Sequence, residues 1–124
     1  MKIRLFLVVL ISILTLFGCT THTTNYTLGR DFSAESVSKI QKGVTTTDEL
    51  VALLGEPYSK SVISENEEKW LYMYLHSSAT ARASLTPDVT TSGIQKNLDV
   101  LIKDGKVVNY AYTEGQPAGI TSGN

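Results

Sequence analysis

The first nineteen residues limit most strongly what this chain can fold into. Leu5 to Phe17 is an apolar run broken only by Ser12 and Thr15; Lys2 and Arg4 precede it, and Gly18-Cys19 ends it. Thirteen helical residues reach about 20 Å at 1.5 Å each, short of the roughly 30 Å hydrocarbon core of a bilayer. Basic residues, a short apolar stretch and a small residue, in that order, read as a secretory signal peptide over 1–18 and not as a transmembrane helix. Cys19 is the only cysteine among 124 residues, so neither an internal disulfide framework nor a cysteine-based zinc cluster can brace the rest of the chain. The remainder, Cys19 to Asn124, is 106 residues, enough for one domain.

Charge narrows the functions. The chain carries 11 basic and 12 acidic side chains, a balance that does not indicate the basic surface of a nucleic-acid binder. Without Lys2 and Arg4 the formal side-chain charge is −3, and no polybasic membrane patch remains. Leu16-Phe17-Gly18-Cys19 resembles a bacterial lipobox. That resemblance implies diacylglycerol on the Cys19 sulfur and a cleavage that leaves Cys19 first. Each buried CH₂ contributes about 0.8 kcal/mol, so several acyl chains make the attachment effectively permanent. Lipoproteins retained at the inner membrane resemble one another in having Asp after the cysteine; Thr20 stands there instead, which implies the periplasmic side of the outer membrane.

The expected organisation comes from patterning. Residues 19–30 are polar and β-branched without an apolar face and read as a lipidated, flexible tether, with His22 a solvated member of it. Ser33 is a helix N-cap, with Ala34, Val37 and Ile40 on one face and Gly43 at the end, so a short helix is expected over 33–42. Thr45 and Thr46 each begin a capping box, with Asp48 and Glu49 respectively, and Leu50, Val51, Leu53 and Leu54 make a second helix that Gly55 and Pro57 stop. Lys69 to Leu75 is β-rich, with Trp70, Tyr72 and Tyr74 on one face and Leu71, Met73 and Leu75 on the other. Asn97 to Lys103 alternates, and Asp104-Gly105 is a strong hairpin signal joining it to 106–113. Tyr58 to Ser64 is a further candidate edge strand. The expected fold class is α+β: two short N-terminal helices packed on a three-stranded antiparallel sheet (ααβββ), over 31–114. The stretch 76–95 reads as an oversized polar loop, and 115–124 as a flexible tail.

The run Ile40-Gln41-Lys42-Gly43-Val44-Thr45, then Asp48-Glu49-Leu50, then Leu53-Leu54-Gly55-Glu56-Pro57 resembles the SmpA/OmlA (BamE-like) outer-membrane lipoprotein family. The aromatic strand after it and the hairpin at Asp104-Gly105 extend the resemblance over about 33–114, together with Cys19. It implies an accessory role in outer-membrane β-barrel assembly or envelope integrity. Similar motifs occur in β-lactamase-inhibitor-like domains, so an inhibitor-type or other envelope binding lipoprotein is the alternative.

Catalytic readings find little support. His76, Ser77 or Ser84, and Asp88 could be drawn into a hydrolase, but without a nucleophile elbow or a glycine-rich oxyanion loop. Glu65, Glu67 and Glu68 lack the spacing of a calcium loop and read as solvated charge. No cofactor, metal or small-molecule substrate is expected. The expectation is a non-enzymatic interaction module for an outer-membrane or periplasmic protein. Its partner-contact candidates are Trp70, Tyr72, Tyr74, Tyr110 and Tyr112, on whichever sheet face the helices leave open, together with the 76–95 stretch.

Overall fold

Asp104 and Gly105 adopt φ values of 51° and 73°, the two left-handed conformations that a tight two-residue hairpin turn requires. The hairpin they close is part of a larger sheet than the patterning suggests. The computed structural model describes residues 1–5, 18–83 and 86–118. Residues 2–5 are helical; residues 6–17 of the expected signal peptide and 119–124 of the expected tail lie outside the described residues.

The elements run β1 (Thr21–Gly29), α1 (Ala34–Ser38), α2 (Thr47–Leu54), β2 (Ser59–Ser64), β3 (Glu67–Arg82), β4 (Asp88–Lys103) and β5 (Lys106–Gly115). All pairings are antiparallel, in the order β1–β3–β4–β5, with β2 also on β3. This corrects the three-stranded ααβββ expectation: five strands form the sheet, and one of them precedes both α1 and α2. β1 and β2 share one edge of β3, since β2 pairs with Glu67–Leu71 and β1 with Tyr74–Arg82.

Two expected irregular segments are therefore strand. Residues 21–29, read as a tether, pair with β3 at nine successive positions from Thr21↔Arg82 to Gly29↔Tyr74. Residues 76–82 and 88–95 of the expected loop are strand, because β3 and β4 continue in register to Arg82↔Asp88. Neither face there carries apolar alternation, so periodicity gave no signal. Threonine-rich backbone nonetheless suits an extended ladder, and a third strand pairs the edge of β3 that a two-stranded hairpin would leave open. At the end of β1, Gly29 has φ 77°, and a Cβ there would lie 1.9 Å from the Met73 carbonyl oxygen. Only glycine lets β1 approach β3 so closely and then turn toward α1.

The first helix is shorter than expected, and the second spans the expected stretch. Ser33 caps α1 through its Oγ, which accepts the Ser36 N–H at 3.0 Å, but α1 ends at Ser38. Of the two possible capping boxes, Thr46–Glu49 is the one formed: Thr46 Oγ1 accepts from Glu49 N at 3.3 Å, and Glu49 Oε2 accepts from Thr46 N at 2.9 Å. Thr45 is buried instead, its Oγ1 accepting the Gln41 N–H at 2.8 Å. Gly55 ends α2 at φ 83°, as its place before Glu56-Pro57 implied. The segment between the helices lies along the start of β5, with Gly43 N donating to Val107 O and Val107 N to Thr45 O.

Both helices cover one face of one half of the sheet. Phe32, Val37, Ile40, Leu50 and Leu54 pack onto Trp70, Tyr72, Leu98, Val100, Ile102 and Val107. Leu50, Leu98, Val100 and Val107 are fully buried. Lys96 marks the boundary of this core: its Nζ donates to Asp31 Oδ1 at 2.8 Å and to the Phe32 carbonyl at 3.0 Å. Beyond it, β1 and the outer halves of β3 and β4 form a three-stranded extension that neither α1 nor α2 covers.

Candidate functional site

Opposite residues in an antiparallel ladder share a face, so the register assigns every strand side chain to one side of the sheet. Trp70 pairs with Val100, which pairs with Tyr110; Tyr72 pairs with Leu98, which pairs with Tyr112. All five candidate aromatics therefore lie on the helix-covered side. Trp70 and Tyr72 are buried, and Tyr74, Tyr110 and Tyr112 are half-buried against the core. Phe32 meets Tyr72 and Tyr112 edge-on, at ring separations of 6.2 and 6.1 Å. The two aromatic sets were free to point to opposite faces in the sequence; the register puts them together and leaves neither for the open face.

Tyr72 holds its place through a hydroxyl that donates to the Gly55 carbonyl at 3.1 Å. Burial, and next the Glu56 carboxylate, push its ionisation well above the ordinary phenol range. The half-buried aromatics carry cations: Lys42 Nζ stands 5.3 Å from the Tyr110 ring centre and Lys96 Nζ 5.6 Å from that of Tyr74.

The open face carries different residues. Leu71, Met73, Leu75 and Leu101 are half-buried there, Leu28 sits opposite Leu75, and Tyr26, opposite Ser77, is 56% exposed. Tyr26 is thus an accessible aromatic that the tether reading of 19–30 concealed. Lys69 and Asp99 form an ion pair of 2.8 Å on the same face.

The two ends of the sheet differ in chemistry. At the outer end of the extension, exposed Cys19 is separated from β1 by Thr20 alone, and the Thr20 carbonyl accepts the Ala83 N–H at 3.1 Å. A shallow recess there brings residues 19–21 together with Arg82, Ala83, Thr86 and Asp88.

At the opposite end, a recess of about 670 Å³ opens between the start of α2, the β2–β3 turn and the β4–β5 turn. Asp48, Glu56, Glu65, Glu68 and Asp104 line it, and Lys60 is the one cation among its described lining residues. Trp70 forms an inner wall: its Nε1 donates to Glu68 Oε2 at 2.8 Å, and Lys60 Nζ lies 4.2 Å from the ring centre. Lys60 also pairs with Glu56 at 3.2 Å, and Asn66 Nδ2 donates to Asp104 Oδ1 at 3.1 Å. Five carboxylates against one ammonium create a field that attracts cations. Sequence reading missed this grouping because its members come from four separate segments; the nearest clue was the acidic run Glu65–Glu68 beside Trp70.

The residues considered for catalysis do not converge. His76 Nδ1 bonds Thr27 Oγ1 at 2.9 Å, while adjacent strand residue Ser77 points to the other face. Asp88 pairs with Arg82, six positions along β3 from His76, about 20 Å at roughly 3.3 Å per residue. Ser84 lies outside the described residues. Glu67 pairs with Lys103 at 3.1 Å and Glu68 with Trp70, so Glu65, Glu67 and Glu68 do not close on a common point. No His, Cys, Asp and Glu group suited to a metal ion occurs among the described residues, and among them no helix is long and apolar enough to cross a membrane. No family model, curated protein or solved structure matches the chain.

Proposed function

We propose that this chain is a lipoprotein of the outer membrane's periplasmic side, anchored through lipid on Cys19, and that it acts as a non-enzymatic binding module for another envelope protein. The observation that carries the reading is the position of Cys19. It ends the apolar run in Leu16-Phe17-Gly18-Cys19, and in the fold it is exposed next to the outer end of the sheet. The resemblance of 40–57 to the SmpA/OmlA family supports a partner in β-barrel assembly or envelope integrity. The acidic recess at the other end of the sheet favours a basic segment on that partner.

Substitution of Cys19 by Ser tests the anchor. The expected result is loss of palmitate labelling and release of the protein from the outer-membrane fraction. A variant that is still labelled and still sediments with the outer membrane would refute the reading. Affinity capture from solubilised envelopes tests the partner: recovery of barrel-assembly subunits supports the family-like role, and recovery of a single periplasmic enzyme supports an inhibitor-type binder instead.

A further inference from the structure

We infer that the β1–β3–β4 extension is a rigid spacer whose outer end seats on the lipid surface and holds the helix-covered core away from it. The inference rests on lipidation of Cys19 and concerns what lies between the lipid and the core. A lipoprotein domain on a flexible leash samples many orientations; this one has no slack residue to make a leash from. Thr20 is already bonded to the sheet through the Ala83 N–H, and Thr21 already pairs with Arg82. From there β1 runs without a bulge to Gly29, tied across to β3 by Thr23 Oγ1–Thr80 Oγ1 at 3.2 Å and Thr27 Oγ1–His76 Nδ1 at 2.9 Å. Eight steps of roughly 3.3 Å from Thr21 to Gly29 place the start of the core about 26 Å from the first paired residue next to the anchor.

The seating end suits a bilayer surface. Its charges are one Arg82 opposite one Asp88, so it meets anionic headgroups without net repulsion. The acidic recess lies at the far end, where its carboxylates are removed from the anionic surface by far more than a Debye length of about 8 Å. The extension thus sets both the height and the heading of the recess.

Lipidation consumes the chain's only thiol, so a cysteine introduced elsewhere becomes the sole reactive one. Ala83→Cys labels the seating end and Glu65→Cys the far turn. Each full-length variant, purified from membranes and carrying a fluorophore on that thiol, is placed in phosphatidylethanolamine–phosphatidylglycerol vesicles with nitroxide-bearing headgroups. Quenching is expected to be several-fold stronger at 83 than at 65. Six Gly/Ser residues inserted between Cys19 and Thr20 should raise quenching at 65 toward that at 83, because the sheet can then lie down. Equal quenching in the uninserted variants, or a difference that survives the insertion, overturns the spacer while leaving lipidation standing. Two reactive thiols on a protein that does not float with vesicles would overturn lipidation, and the spacer with it.

Discussion

The two halves of β3 and β4 share one ladder but are held by different forces. From Glu67 to Tyr74, β3 lies under two helices and contributes Trp70 and Tyr72 to a core of eleven buried apolar residues. From His76 to Arg82 it lies between β1 and β4, and no described residue of that stretch is buried. The first half is stabilised by removal of apolar surface from water, at roughly 25 cal/mol per Å². The second rests on paired backbone groups and extended propensity, which contribute far less per residue. Core burial therefore supplies the stability, and the ladder carries the strand geometry outward from it.

Perturbing each half separately sharpens this contrast. Leu98 is fully buried between Tyr72 and Tyr112, and Leu98→Ala should lower the unfolding free energy by about 2–5 kcal/mol, read from urea denaturation. Tyr72→Phe removes the hydroxyl bonded to the Gly55 carbonyl and should cost about 0.5–1.5 kcal/mol at neutral pH. The same residue links stability to alkali. Its folded ionisation is raised above the ordinary value of 10.0, so the neutral phenol contributes fully below that pH and its contribution is lost as pH rises further. Thermal scans above pH 10 should show wild type losing stability more steeply than Tyr72→Phe. The smallest effect belongs to the extension. Thr80→Ala, which removes the exposed bond to Thr23, should change global stability by less than about 0.5 kcal/mol while hastening amide exchange in β1. A loss there as large as that of Leu98→Ala would mean the two halves unfold as one equally stabilised unit.

What could be read in the sequence divides along the same line. A capping box in Thr45–Glu49, the stop at Gly55 and the Asp104-Gly105 turn are local signals that match the structure, though the cap is Thr46 and not Thr45, and the strand expected over 69–75 runs from Glu67 to Arg82. The extension carries no apolar period: apart from Tyr26, Thr21–Thr27 and His76–Arg82 are polar or small on both faces, and their pairing is a contact 49 to 61 positions apart in sequence. Register was hidden for the same reason. Which way Tyr110 and Tyr112 point depends on the shift between Leu101 and Ile102 against β5, a feature of the ladder that neither strand reveals alone. The acidic recess needs four segments folded together before its charge is visible.

The outer edge of β1 pairs with no strand among the described residues, and Thr21–Gly29 contains no proline, lysine or carboxylate. Such an edge ordinarily invites another copy to add itself, and sheet proteins commonly guard theirs with charge or a bulge. With the lipid proposed on Cys19, the anchor would supply the guard. Two lipidated copies pairing β1 antiparallel would set one Cys19 against the other's Gly29, lifting one lipid about 33 Å out of a bilayer that both shared. Copies so anchored in one leaflet would all point the same way, so the antiparallel self-association that this edge permits would be barred by common orientation, a crowd facing one direction in which no two members can shake hands head to foot.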